Sequence, residues 1–160
     1  MSEISMDATD VRILDALQRE GRLTNMELAA RVGLSVSPCL RRVKRLERDG
    51  VIQRYVAVVD QAKVGIPVSV FVSVKLERQR EDVMARFEQA IAGSPEVIEC
   101  YLMTGSRDYL LRVVTSDLAA YERFLKETIT RIDGVASIES SFALNQVKFA
   151  NALPIAARKG

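Results

Sequence analysis

Seven cations crowd into one run of the chain: Arg31, Arg41, Arg42, Lys44, Arg45, Arg48 and Arg54 stand against only Glu47 and Asp49. Guanidinium and ammonium groups at that density are suited to neutralising the phosphates of a polyanion. Residues 1–30 hold three cations against six acids, and residues 55–160 hold thirteen of each sign. The run therefore carries all the excess positive charge in a chain of formal net charge +2. A solvated helix face is the plain alternative, and charge alone does not choose.

A second constellation is the turn Thr104, Gly105, Ser106, Arg107, Asp108, followed by Tyr109. A glycine exposes backbone N–H groups to a carboxylate, and an aspartate offers charge to an ammonium, so the turn could grip an amino acid. The same residue types make ordinary hairpins. Spacing leaves both readings open.

What is missing narrows the chemistry further. The 160 residues include no histidine, which removes a histidine general base, a Ser-His-Asp triad and a His-ligated zinc. No glycine-rich phosphate loop or nucleophile elbow occurs. A binding protein is expected in place of an enzyme, with no catalytic residue, metal or cofactor. Cys39 and Cys100 are too few for a disulfide framework and are expected to act as small buried hydrophobes. No apolar run approaches the roughly 18 residues that cross a bilayer, and the first residues alternate acids with apolar side chains. The expectation is a cytoplasmic protein with no membrane partner. With 48% hydrophobic and 28% charged residues, the chain should fold as one large or two small domains.

The cationic run needs helices to present it. Val11, Ile13, Leu14 and Leu17 give one face of a first helix over Asp7 to Arg19, with Asp10 near its start and Gly21 closing it. Thr24 and Glu27 form a capping box for a short second helix through Leu28, Ala29 and Val32, ended by Gly33. Ser35 is placed to cap a third helix, Val36 to Arg48, with Pro38 tolerated in its first turn and Gly50 at its stop. This spacing reads as helix-turn-helix.

At about 100° per residue, Val36, Cys39, Leu40, Val43 and Leu46 share one arc of that third helix. Ser37, Arg41, Lys44 and Arg48 share the other, and Arg42 and Arg45 extend it. Glu47 falls inside the apolar arc, where an ion pair or the helix's exit from the core would account for it. Such a helix fits the major groove of double-stranded DNA. Ser35, Ser37, Arg41 and Arg42 are the candidates for base contact, and Lys44, Arg45 and Arg48 for phosphates. Val51, Ile52, Tyr55, Val56, Val58 and Val59 then favour an extended wing, and Lys63, Gly65 and Pro67 punctuate a connector over 60–67.

The second half alternates element types. Val68, Val70, Val72 and Val74 have the period of a strand, with Phe71 expected as a buried aromatic on the opposite face. A helix from Arg80 to Ala92, strands Val97 to Met103 and Tyr109 to Val114, a helix capped by Asp117 and running to Ile132, and a strand Val135 to Phe142 follow. The order β-α-β-β-α-β is the split βαβ, ferredoxin-like arrangement. Its uncovered sheet face calls for a second copy of the chain.

Pro38-Cys39-Leu40, Arg45-Leu46-Glu47, Gly50-Val51-Ile52 and Gly105-x-x-Asp108-Tyr109-Leu110, with Ser141-Phe142-Ala143-Leu144 and Leu153-Pro154-Ile155, stand in an order and spacing that resemble the Lrp/AsnC (feast/famine) family of transcriptional regulators. The resemblance covers nearly the whole chain. It implies an α+β protein: a winged helix-turn-helix domain over 7–59, a linker over 60–67, a ferredoxin-like ligand-sensing and oligomerisation domain over 68–150 and a tail over 151–160. It also implies dimers assembling into octamers or similar rings, with an amino-acid effector bound between dimers. That effector role carries onto Thr104, Gly105, Ser106, Arg107, Asp108 and Tyr109, and Pro38 joins the DNA-contacting set. An effector-independent architectural DNA-binding protein is the nearest rival. A ferredoxin-like metabolic or RNA-binding module fits less well, because Tyr101 and Tyr109 do not make an aromatic stacking platform.

Overall fold

The computed structural model describes residues 5–156. The chain divides into two compact units, one of residues up to Val58 together with those from Val147, the other Val59–Gln146.

In the first unit, α1 (Ala8–Arg19), α2 (Asn25–Val32) and α3 (Val36–Arg48) follow one another closely. The Asp7 carboxylate accepts the Thr9 and Asp10 N–H groups at 2.8 Å each, and the Asp10 carboxylate accepts the Asp7 N–H at 3.1 Å. This reciprocal box satisfies donors that the first turn leaves free. Thr24 and Glu27 form the expected box on α2. Gly33 adopts φ +73°, a left-handed conformation that costs other residues about 1 kcal/mol or more and turns the chain into α3. Ser35 takes the N-cap position of α3, but its hydroxyl makes no capping bond.

Ile13, Leu14, Leu28, Ala29, Val32, Cys39, Val43 and Leu46 form this unit's core, and Ile155 of the tail packs against it. Gln18 pairs with the tail backbone as a neighbouring strand would, accepting the Leu153 N–H at 2.6 Å and donating to the Leu153 carbonyl at 3.3 Å. Val36, expected in the core, is 43% exposed, because the first residue of α3 sits at the helix end.

The extended run after Gly50 joins no ladder among the described residues. A strand needs a row of donors and acceptors opposite it, and Val56, Val58 and Val59 remain exposed. Tyr55 instead folds back, its hydroxyl donating to Glu47 at 2.9 Å. Glu47 is thus an exposed acceptor for a phenol beside the end of α3, where the helix leaves the core, and it makes no ion pair among the described residues. Burial, and then this bond, push the Tyr55 hydroxyl up to about 12.

The second unit holds β1 (Val68–Leu76), α4 (Glu81–Ala92), β2 (Val97–Leu102), β3 (Tyr109–Thr115), α5 (Leu118–Glu127) and β4 (Val135–Phe142). The sheet order is β2-β3-β1-β4, antiparallel throughout, so β3 splits the β1-α4-β2 unit as expected. Helix α5 stops at Glu127 and a 3₁₀ turn over Ile129–Arg131 replaces the expected continuation to Ile132. The β-branched run Thr128, Ile129, Thr130 is a poor helix former, and Ile129 is fully buried in the core.

One sheet face is closed by Val70, Val72, Val74, Leu76, Leu111 and Val113 packing with Phe87, Ile91, Tyr121, Phe124 and Ile129. The other is open. Its cross-strand rows are Tyr101, Leu110, Ser73, Glu139 and Glu99, Arg112, Phe71, Ser141. Phe71 therefore does not reach a second core: it is 40% exposed, having no layer of this unit above it. Cys39 is buried as expected, whereas Cys100 on β2 is exposed.

Candidate nucleic-acid interface and ligand turn

Helix α3 presents two faces. Cys39, Val43 and Leu46 are buried, and Ser37, Arg41, Lys44 and Arg48 are exposed at spacings of four, three and four. Ser35 is exposed at the helix N-terminus and Pro38 is half-buried behind it. The partition follows from the helical period, so the row expected from the sequence is the row that forms.

Arg42 and Arg45 are different. The Arg42 guanidinium donates to Asp7 at 2.7 Å and to Asp10 at 2.8 Å, and Arg45 donates to Asp10 at 2.5 Å. Both lie at the flank of α3, and they extend the basic face less than the sequence suggests, because the start of α1 supplies carboxylates that satisfy them. Asp10 is 1% exposed. Among the described residues, Arg41 and Lys44 of α3 are exposed and make no ion pair, while Arg48 contacts only its exposed neighbour Asp49, at 3.0 Å. No local signal marks Asp10 for this role, since its partners lie 32 and 35 residues away.

The turn between β2 and β3 divides in the same way. Thr104, Gly105 and Ser106 form an exposed tip, with Gly105 at φ +108° and open space where a side chain would be. The residues after it are engaged. Arg107 donates to Ser137 at 2.8 Å and to Glu139 at 2.7 Å, on the open sheet face. Asp108, 2% exposed, accepts the Leu76 N–H at 2.7 Å, the Gln79 amide at 2.5 Å and the Lys75 ammonium at 3.1 Å. Burial alone would raise its carboxyl, but the Leu76, Gln79 and Lys75 donors outweigh it and hold the group below its usual 3.8. The ammonium that Asp108 meets is thus the chain's own Lys75.

Tyr109 points into the closed face, stacked on Phe87 with ring centroids 4.5 Å apart, and its hydroxyl donates to Glu88 at 2.7 Å. Burial first, and then Glu88, raise that hydroxyl well above the ordinary phenol range. The six expected ligand residues therefore split into a free tip and a fixed base. Lys75, Gln79, Glu88, Ser137 and Glu139 are the partners that sequence reasoning missed, for they come from other elements and carry no local signal.

Comparison with known proteins settles the class. Residues 6–53 match the family model for winged helix-turn-helix DNA-binding, and residues 69–153 match that for the Lrp/AsnC ligand binding domain. The chain belongs to the Lrp/AsnC family. It is 51% identical over 150 residues to the Bkd operon transcriptional regulator of Pseudomonas aeruginosa, covering 94% of this chain and 98% of that one. It is 41% identical to the leucine-responsive regulatory protein of Escherichia coli, over 96% and 93% of the two chains. Its fold superposes with TM-score 0.90 on a Neisseria meningitidis transcriptional regulator solved as an L-Met complex, at 39% identity over 94% and 97% of the chains. This Lrp/AsnC chain is a DNA-binding transcriptional regulator, not an enzyme, with a winged helix-turn-helix followed by an α+β ligand-binding domain. Among the described residues no helix is long and apolar enough to cross a membrane.

Proposed function

We propose that α3 enters the major groove with Ser35, Ser37 and Arg41 at base edges and Lys44 and Arg48 on phosphates, while Arg42 and Arg45 hold the helix in place. The observation that carries this reading is the exposed row Ser37, Arg41, Lys44, Arg48 on a helix whose opposite face is core. Residues 7–59 form the DNA-binding domain, 60–67 the linker, 68–150 the effector and assembly domain, and 151–160 the tail. The protein works in the cytoplasm, where it meets its operator DNA.

The open sheet face supports pairing with a second copy through Phe71, Leu110 and Tyr101, with dimers assembling into an octamer or a similar ring. An amino-acid effector then binds between dimers at the tip Thr104, Gly105, Ser106, with Arg107, Asp108 and Tyr109 shaping the turn. The Neisseria meningitidis relative's L-Met complex supports an amino acid as ligand. A ligand alters operator affinity only as far as it binds one assembly or domain arrangement better than another.

The test is a thermal-unfolding panel with each of the twenty amino acids. A ligand at a hundred times its dissociation constant stabilises by about 2.7 kcal/mol, so one clear shift names the effector. No shift with any of them would leave the protein an effector-independent regulator.

A further inference from the structure

The structure assigns Asp10 a role in DNA selectivity: it raises discrimination between sequences by withholding Arg42 and Arg45 from phosphates and by fixing the rotation of α3. The assignment rests on α3 being the DNA-facing helix. Asp10 lies on the α1 face that also carries Ile13 and Leu14, and it is 1% exposed. Its carboxylate accepts from the Asp7 N–H, from Arg42 at 2.8 Å and from Arg45 at 2.5 Å. Asp7, whose side chain is 53% exposed, takes a second Arg42 contact at 2.7 Å.

Only the Asp10 end of this cluster is buried, the Arg42 and Arg45 side chains being 30% and 39% exposed, and desolvation of the carboxylate offsets much of the attraction. The capping bond from the Asp7 N–H accounts for a carboxylate at Asp10, but stability does not account for its two arginine partners. Selectivity does. Non-specific affinity grows with the number of phosphates neutralised, whereas sequence is read at base edges. Each cation removed from the phosphate-contacting set lowers affinity for all DNA, while readers on another azimuth keep their contacts. Arg42 and Arg45 stand three residues apart on α3, so gripping both at one buried point fixes the helix about its own axis. Arg41 and Lys44 each precede a gripped arginine by one residue, about 100° around the helix, and are held out on the exposed side.

The experiment uses the full chain and two duplexes: one selected by the wild-type protein from a randomised pool, and one of scrambled sequence. Affinities are measured by fluorescence anisotropy from 50 to 400 mM salt. In Asp10→Asn the scrambled duplex should bind at least about threefold more tightly near 150 mM salt. Its log-log salt slope should steepen by about one per chain, and the selectivity ratio should fall by about tenfold. Unchanged selectivity, or equal loss of affinity for both duplexes, overturns the assignment. If Asp10→Asn does not fold, Asp7→Asn decides: it keeps a good N-cap, frees one Arg42 contact, and should shift the ratio the same way by a smaller factor, with no shift overturning the assignment. Arg41→Ala separates the two levels. If it binds both duplexes like wild type, the DNA-facing reading of α3 has failed; if it loses selectivity while Asp10→Asn does not, only the Asp10 assignment has failed.

Discussion

Removing the Asp108 carboxylate should unfold the sheet unit before it blinds it to a ligand. In Asp108→Ala the buried Leu76 N–H, bonded at 2.7 Å, loses its acceptor inside the unit. An unsatisfied buried donor costs about 1–3 kcal/mol, and losing a charged acceptor lies at the upper end of that range. The Lys75 side chain is 35% exposed, so its ammonium turns to water and adds little. The Gln79 amide, bonded to the same oxygen as Lys75, is expected to do likewise. The sum is a loss of about 2–4 kcal/mol, a large part of the roughly 5–15 kcal/mol that holds a domain folded. A fall of order 10–20 °C in midpoint follows for a unit of this size.

Circular dichroism during thermal and urea unfolding measures this directly, with Asp108→Asn as the partner variant. Asparagine keeps an oxygen for Leu76 and should lose about 1 kcal/mol. The pH dependence gives an independent check. Because the folded carboxyl lies below 3.8, the unfolded chain takes up the proton first. The group's stabilisation is therefore complete above about 3.8 and is lost as pH falls through the lower folded value. Asp108→Asn should flatten the stability profile in that acid window. An Asp108→Ala protein within about 0.5 kcal/mol of wild type that nonetheless failed to answer its effector would refute the structural role and restore Asp108 as a direct ligand contact.

Other perturbations separate readers from supports. Arg41→Ala should cost about 1–3 kcal/mol on a selected operator and relax its specificity, whereas Lys44→Ala should weaken all duplexes alike and reduce the salt slope by about one; anisotropy titrations distinguish them. Ile155→Ala should lower the stability of the helix-turn-helix unit by about 1–2 kcal/mol, as a partly buried truncation does, with hydrogen exchange in α1 as the readout. Gly134→Ala should be worse than Gly33→Ala in a melt. Both glycines have positive φ, but a Cβ at Gly134 would lie 2.6 Å from Val83 Cγ1, and one at Gly33 would meet nothing within 4 Å.

The features legible in the sequence were those written in local periods. The capping box of Thr24 and Glu27, the left-handed stop at Gly33, the alternation from Val68 to Val74 and the exposed row on α3 each depend on neighbours within a few residues. Each forms where its spacing puts it. The misplaced features depend on partners far along the chain. Arg42 and Arg41 are adjacent and chemically identical, yet one is held by carboxylates 32 and 35 residues away and the other is free. Asp108 and Gly105 share one short turn, but only Asp108 meets β1 and the segment after it. Helical phase separates a core face from a solvent face, but it does not say which flank residues a neighbouring helix will claim. The same rule sorts both candidate sites. Exposed, unclaimed groups at the N-terminal part of α3 and at the hairpin tip are free to meet other molecules, and the charged groups beside them hold the frame that presents those contacts.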